Sequence, residues 1–156
     1  TFRERDAYVA EQLKVEFRGL DGYHLIISAH PLFSKIKIED EFSYSGDFST
    51  YDLMKIADVI ITDYSACAFE ASVLMKPLYF FVPDYDEYSS ERGINVNLKE
   101  EMPSATFENA EELVNAIKSE NYDFDMLYKF KCEYVENTKA NNAEILAKFI
   151  SMLLKA

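Results

Sequence analysis

The sequence predicts an α/β fold in which a parallel sheet is covered by helices on both faces. Stretches with helical periodicity alternate along the chain with short runs of strand length. The runs Asp58 to Thr62 and Leu78 to Val82 carry apolar residues on both faces, as is typical of strands buried in a parallel sheet. A length of 156 residues with 49% hydrophobic content suits a single core, so we expect one domain over residues 1–156.

The N-terminal third predicts a helix followed by strands. The pattern from Glu4 to Leu20 fits an amphipathic helix closed by Gly19 and Gly22. The apolar run YHLIISAHP, Tyr23 to Pro31, predicts a buried strand that ends at the proline. A second short strand is expected near Phe42 to Ser45.

The middle of the chain contains the clearest alternation. Ser49 and Asp52 have the S-x-x-D spacing of a capping box, which predicts a short helix through Leu53, Met54 and Ile56. The elements expected next are the strand Asp58 to Thr62, a helix from Ser65 to Met75 and the strand Leu78 to Val82.

The remaining chain predicts a loop and then helices. The polar stretch DYDEYSSERGINVN, residues 84–97, is expected to be a long loop of the kind that often binds ligands in α/β domains. Helices are expected over residues 108–118, 123–136 and 142–155, the first with Leu113, Val114 and Ile117 on its inner face.

Charge and cysteine content restrict the function. Twenty-eight acidic against sixteen basic residues give a net charge of −12, which argues against sequence-independent binding to nucleic acid or to anionic lipid. Cys67 and Cys132 have no metal-ligand spacing and fit a reducing cytosol. We expect neither a metal nor a cofactor. No run is long enough to span a bilayer, and the first residues do not resemble a signal peptide.

A phosphate site is one interpretation of the segment after the strand Asp58 to Thr62. Ligands of open parallel sheets bind beyond the carboxyl ends of strands, where the following helix presents unpaired N–H groups. Asp63 and Ser65 are expected at such an edge, with Ser65 as helix N-cap and the small Ala66 leaving the backbone amides open. The alternative is that Ser65 only caps the helix, and that the residues after it are small because the helix packs closely on the sheet.

Three more residues are candidates for this edge. His30 ends the strand Tyr23 to Pro31, where an imidazole could hold a phosphate oxygen or transfer a proton, although a histidine before a proline is also a common turn residue. Arg92, beside Gly93, could contact a diphosphate or remain solvated. Glu70, one turn into its helix, could accept a hydrogen bond from a ribose or face water.

Three segments of the sequence resemble one known family. They are ISAHPLF, the run YDLMKIADVIITDYSACAFEASVLMKPLYFFVPDYDEYSSERG and ENAEELVNAI. Their His-Pro pair, Thr-Asp-Tyr-Ser strand end, downstream Lys-Pro and Pro-Asp…Arg-Gly element follow the order found in the CDP-glycerol glycerophosphotransferases, the teichoic acid polymerase and primase family. The likeness covers most of Leu25 to Ile117, and the opening Thr1-Phe2-Arg3 is similar to the family's Pro-Thr-x-Arg element.

The resemblance implies a fold and an activity. It implies the C-terminal, Rossmann-like half of a GT-B fold, with an N-terminal acceptor domain that this chain does not contain. Family members transfer glycerol phosphate, or in relatives ribitol phosphate, from a CDP-linked donor to a hydroxyl of a lipid-linked acceptor and release CMP. The full protein is then expected at the cytoplasmic face of a bacterial membrane as a peripheral protein, with the acceptor's proton going to a base on the absent domain.

The resemblance also implies roles for single residues. His30 matches the family's functional histidine, steadying the donor diphosphate, while Asp63, Ser65 and the amide of Ala66 match its donor-binding strand end. Arg92 and Arg3 are expected near phosphate oxygens.

The sequence departs from the family pattern at the predicted site. Ala66 stands where the family often has a second serine, which leaves the donor open between CDP-glycerol, CDP-ribitol or a related CDP-alditol, and another nucleotide-linked donor. A nucleotide-sugar-dependent GT-B glycosyltransferase and a non-catalytic nucleotide-binding module are the two alternatives.

Overall fold

The computed structural model describes residues 2–28, 42, 46–136 and 141–154, with side chains from Ala7 onward. Its α-helices and strands are α1 (Phe2–Phe17), α2 (Thr50–Ile56), β1 (Ile60–Thr62), α3 (Cys67–Val73), β2 (Leu78–Phe81), α4 (Tyr85–Arg92), α5 (Leu98–Glu101), β3 (Thr106–Phe107), α6 (Ala110–Lys118), α7 (Phe124–Tyr134) and α8 (Asn142–Leu153), with a short 3-10 helix (Pro103–Ala105) before β3.

The three strands form one parallel sheet in the order β1-β2-β3. Ile60 pairs with Leu78 and Thr62 with Phe80, and on the other side of β2 Phe80 pairs with Thr106. All four residues of the central strand β2 are buried. The predicted α/β class with a parallel sheet is therefore confirmed, and the apolar run Leu78 to Val82 is its centre.

Helices flank the sheet in two pairs. Helix α3 contacts β1, β2 and α7, and its Phe69 ring lies parallel to Phe130 of α7 at a centroid distance of 5.9 Å. Helix α6 contacts β2, β3 and α1. Because Leu113, Val114 and Ile117 are all buried, the predicted inner face of α6 is confirmed.

Small side chains let α3 approach its neighbours closely. Ala68, Ala71 and Ser72 are almost completely inaccessible to solvent, and the Ser72 hydroxyl donates to the Phe69 carbonyl at 2.7 Å. Close packing of α3 therefore explains why these residues are small, in agreement with the alternative to a phosphate site given above.

The capping box predicted for α2 is present. The Ser49 hydroxyl accepts from the Asp52 amide at 3.2 Å, and the Asp52 carboxylate accepts from the Ser49 amide. The C-terminal end of α2 is closed by Lys76, whose ammonium donates to the carbonyls of Met54, Lys55 and Ala57. The lysine of the Lys-Pro pair is therefore a structural residue that holds α2 against the chain before β2.

Two predicted elements differ in the structure. Of the strand predicted from Tyr23 to Pro31, the described residues show one isolated bridge at Ile27, whose amide donates to the Phe42 carbonyl at 2.7 Å. The rest of that run, and residues 43–45 of the strand expected after it, lie outside the described residues.

The prediction of a long loop after Pro83 is wrong. Residues Tyr85–Arg92 form the helix α4, which ends at Gly93 with a φ of 76°. The polar composition concealed this helix because its inward contact depends on the buried Tyr85 and on stacking of Tyr88, neither of which produces an apolar period.

No helix among the described residues has both the length and the apolar character needed to cross a membrane.

Candidate functional site at the carboxyl edge of the sheet

The carboxyl ends of β1 and β2 lie side by side because the two strands are parallel. Strand β1 ends at Thr62 and is followed by Asp63, Tyr64 and Ser65, while β2 ends at Phe81 and is followed by the Val82-Pro83-Asp84 segment. In sheets of this kind, ligands bind at this edge. We call residues 62–66 and 82–84 the sheet edge.

The turn from β1 into α3 is held by its own polar side chains. The Ser65 amide donates to Asp63 Oδ1 at 2.9 Å, and the Cys67 amide donates to Ser65 Oγ at 3.4 Å. The N-cap position itself belongs to Ala66, so the prediction of Ser65 as N-cap is corrected by one residue. The reason is that Ser65 closes a tight turn through Asp63, which displaces the first helical residue to Cys67.

Tyr64 connects the two strand ends. Its hydroxyl donates to Asp84 Oδ1 at 3.2 Å, across the boundary between the β1 and β2 termini. Its ring lies flat on the ring of Tyr88, with centroids 3.8 Å apart and planes 7° from parallel. The sheet edge is thereby attached to α4 through a hydrogen bond and an aromatic stack.

Helix α4 is fixed from its other side as well. The Tyr85 hydroxyl donates to Asn97 Oδ1 at 2.7 Å, and the Lys99 ammonium lies 4.2 Å from the Tyr85 ring centroid. Lys99 also pairs with Glu108 at 2.5 Å, and this hydrogen bond raises the pKa of the ammonium. These contacts hold the first turn of α4 against the segment that contains Asn97 and Lys99.

The structure places three of the predicted site residues at the sheet edge and two others on helices. Asp63, Ser65 and Ala66 lie at the sheet edge, with Asp63 half-buried and the other two exposed. Arg92 is in the last turn of α4, with its guanidinium carbon 5.6 Å from the Tyr88 ring centroid. Glu70 is exposed in the first turn of α3.

Two predicted residues cannot be placed in the site. His30 lies outside the described residues. Arg3 belongs to α1, and its side chain is likewise outside the described part of the chain. Their proposed contacts with phosphate therefore stay predictions.

Sequence reasoning missed Tyr64, Tyr88 and Asp84. Asp84 lies in the segment that the sequence predicts to be a loop, yet it is half-buried and accepts the Tyr64 hydrogen bond. The three- and four-residue spacing of Tyr85, Tyr88 and Arg92 is compatible with a helix, but only the contacts of α4 with other elements show where these residues lie.

Among the site residues whose side chains the structure describes, Ser65 and Arg92 carry hydrogen-bond donors. Ser65 at the sheet edge and Arg92 at the end of α4 are both exposed. The described residues contain no cluster of three or more histidine, cysteine, aspartate or glutamate side chains that could hold a metal ion. A serine hydroxyl and an arginine are groups that can position and neutralise an anionic ligand.

Comparisons with known proteins identify a family for this arrangement. The profile of the CDP-Glycerol:Poly(glycerophosphate) glycerophosphotransferase family matches residues 1–152. The teichoic acid ribitol-phosphate primase of Bacillus spizizenii is 33% identical over 148 residues, which cover 92% of this chain and 38% of that protein. The teichoic acid glycerol-phosphate primase of Bacillus subtilis is 30% identical over 151 residues, which cover 94% and 39%.

Solved structures give the same result. A structure of the wall teichoic acid polymerase TagF, determined on a variant soaked with CDPG, superposes with a TM-score of 0.57 at 26% identity over 94% of this chain. A second TagF structure gives 0.55 at 27% identity. The chain spans 39% of each of these TagF chains, close to its share of the two primases.

Proposed function

Because the chain belongs to the CDP-Glycerol:Poly(glycerophosphate) glycerophosphotransferase family, we propose that it is the donor-binding part of a polyol-phosphate transferase. The observation that carries this proposal is the family match over residues 1–152, which includes every residue of the sheet edge. The donor is CDP-glycerol or a related CDP-alditol. The acceptor is a lipid-linked polyol phosphate in the synthesis of teichoic acid or a similar surface polymer.

The proposed reaction is a substitution at phosphorus. A hydroxyl oxygen of the acceptor attacks the phosphorus that carries the polyol, the bond from that phosphorus to the bridging oxygen of the diphosphate breaks, and CMP leaves with that oxygen. The hydroxyl proton passes to a base on a part of the protein that this chain does not contain. In such a transfer the protein contributes positioning and neutralisation of the phosphate charge.

The sheet edge supplies groups for these tasks. In this proposal the Ser65 hydroxyl and the Ala66 amide donate to a phosphate oxygen of the donor, and Arg92 adds a positive charge from α4. We propose Asp63 and Glu70 for the polar part of the donor, and His30 and Arg3 for its diphosphate. The domain is the C-terminal half of a two-domain GT-B enzyme that works as a peripheral protein at the cytoplasmic face of a bacterial membrane.

Calorimetric titration of the intact protein tests this function. CDP-glycerol, CDP-ribitol, CMP and a UDP-sugar are compared on wild type, Ser65→Ala and His30→Ala. We expect a CDP-alditol to bind best and each substitution to weaken it by roughly 10- to 100-fold, the effect of removing a hydrogen bond to a charged group.

Ser119→Ala is the matched control, because that serine lies at the far end of α6 and donates to the Ala116 carbonyl. Preference for the UDP-sugar would assign the protein to the glycosyltransferases instead. Binding of CDP-alditols that neither substitution weakens would remove the sheet edge from the donor site.

A further inference from the structure

The contacts of Tyr64 reach beyond the edge on which it lies. Its hydroxyl binds Asp84 after β2, and its ring covers Tyr88 on α4 in a parallel stack of 3.8 Å. Tyr64 also comes within 6.3 Å of the Tyr85 ring. One side chain of the β1 terminus thus contacts the β2 terminus and two positions on α4.

The stack continues to Arg92. Tyr88 and Arg92 are four residues apart on α4, and the guanidinium lies 5.6 Å from the Tyr88 centroid, within the range of a cation–π contact. An exposed arginine otherwise loses considerable rotamer freedom when a ligand immobilises it. A ring that already holds the guanidinium reduces that loss.

We propose that Tyr64 is a positioning residue that acts through Tyr88 to set where the Arg92 guanidinium stands relative to the Ser65 hydroxyl. The proposal rests on the proposed function, since it takes the ligand to be the diphosphate of a CDP-linked donor. The aromatic stack fixes the spacing between two donors on different elements, one after β1 and one at the end of α4. Tyr64 itself need not touch the donor.

A double-mutant cycle separates this role from simple support of the fold. Calorimetry on the intact protein with CDP-glycerol and CDP-ribitol compares wild type, Tyr88→Leu, Arg92→Ala and the double variant. We expect Tyr88→Leu to weaken binding about tenfold, equivalent to about 1.4 kcal/mol, and to have no further effect once Arg92 is alanine. Tyr64→Leu should behave in the same way.

Conservative variants complete the cycle. Tyr88→Phe keeps the ring, so it should recover most of the affinity that Tyr88→Leu loses. Tyr128→Leu is the control, because Tyr128 is an exposed tyrosine with a cation–π contact to Lys131 on another helix, α7. If the fold-losses of affinity caused by Tyr88→Leu and Arg92→Ala multiply in the double variant, the two residues act independently and the proposal is overturned.

The positioning role of Tyr64 can also be tested without a donor, and therefore independently of the proposed function. The Nε–Hε resonance of Arg92 in the ¹⁵N spectrum should carry a ring-current shift from Tyr88, which Tyr64→Leu should abolish and Tyr64→Phe should retain. If wild type binds no CDP-alditol, the proposed function fails while this spectrum still decides the positioning role. If the chemical shift of the Arg92 resonance is unchanged in Tyr64→Leu, that role is refuted.

Discussion

Some single side chains connect separate elements of this fold, and Tyr122 is the clearest case. It lies between α6 and α7, donates to the Leu78 carbonyl at 2.9 Å and meets Tyr79 edge-on at 5.2 Å. Burial raises the pKa of Tyr122 to about 12. The folded chain therefore keeps this proton at a pH where the unfolded chain loses it.

Stability is expected to fall at alkaline pH for this reason. A folded pKa above the ordinary value of 10.0 gives stability that is complete below pH 10 and is lost as pH rises towards 12. Urea unfolding from pH 8 to 11.5 should show a decline on the order of 2 kcal/mol, reduced by the partial exposure of the ring. Tyr122→Phe should flatten this decline, whereas Tyr8→Phe, at an exposed position, should not. An unchanged decline in Tyr122→Phe would contradict the assignment.

Lys76 is a second residue with a structural role. Its ammonium binds the Ala57 carbonyl at 2.6 Å together with the carbonyls of Met54 and Lys55, at the negative end of the α2 dipole. Lys76→Met keeps the apolar stem but removes all three bonds, so we expect a loss of about 1–3 kcal/mol in the free energy of unfolding.

The comparison for Lys76 is Lys148→Met on α8. That lysine is 76% exposed and pairs with Glu144 one turn away. Urea unfolding should place the effect of Lys148→Met within about 0.5 kcal/mol. Equal effects of the two substitutions would show that Lys76 does not cap α2.

At the scale of elements, prediction succeeded where a local pattern sufficed. The α2 capping box needs only Ser49 and Asp52, and the inner face of α6 needs only a helical period, so both could be read directly. Helix α4 and strand β3 could not. Helix α4 depends on tyrosine contacts with other elements, and β3 is a strand of two residues that exists through its pairing with β2.

The end of α6 provides a test of backbone strain. Glu120 is exposed and has a φ of 52°, in the left-handed region that costs a non-glycine residue about 1–2 kcal/mol. Glu120→Gly should therefore raise the free energy of unfolding by about 0.5–1 kcal/mol, after the extra entropy of glycine in the unfolded chain is subtracted.

A glycine at Glu111, exposed within α6, should instead lower the free energy of unfolding by about 1 kcal/mol. Urea denaturation of both variants at neutral pH decides the sign. Destabilisation by Glu120→Gly would mean that its carboxylate contributes more than its backbone costs.

At the scale of the whole molecule, only the part of the candidate site that follows β1 could be predicted from the sequence. Asp63, Ser65 and Ala66 could be placed together because the end of a parallel strand fixes where the next residues go. The link from Tyr64 through Tyr88 to Arg92 could not be foreseen, since it requires α4 to form and to pack across the β2 terminus. Local sequence identifies groups on one edge, while their distance from groups on another element is a tertiary property.

Burial also indicates which elements unfold together as one cooperative unit. Leu13 and Phe17 of α1 are part of the buried core, whereas the apolar residues of α8, such as Ile145, Phe149 and Leu153, are each about half exposed. Stability follows the apolar area that folding buries, so α8 contributes little of it to this chain.

Removing residues 137–156 should therefore leave the rest of the chain folded. We expect the free energy of urea unfolding and its m-value to stay within about 15% of the intact chain, with circular dichroism losing only the helical signal of α8. Removing residues 1–18 is the control, and it should abolish the cooperative transition because it opens the contact between α1 and α6. A broad or lost transition after the C-terminal deletion would place α8 within the folded core.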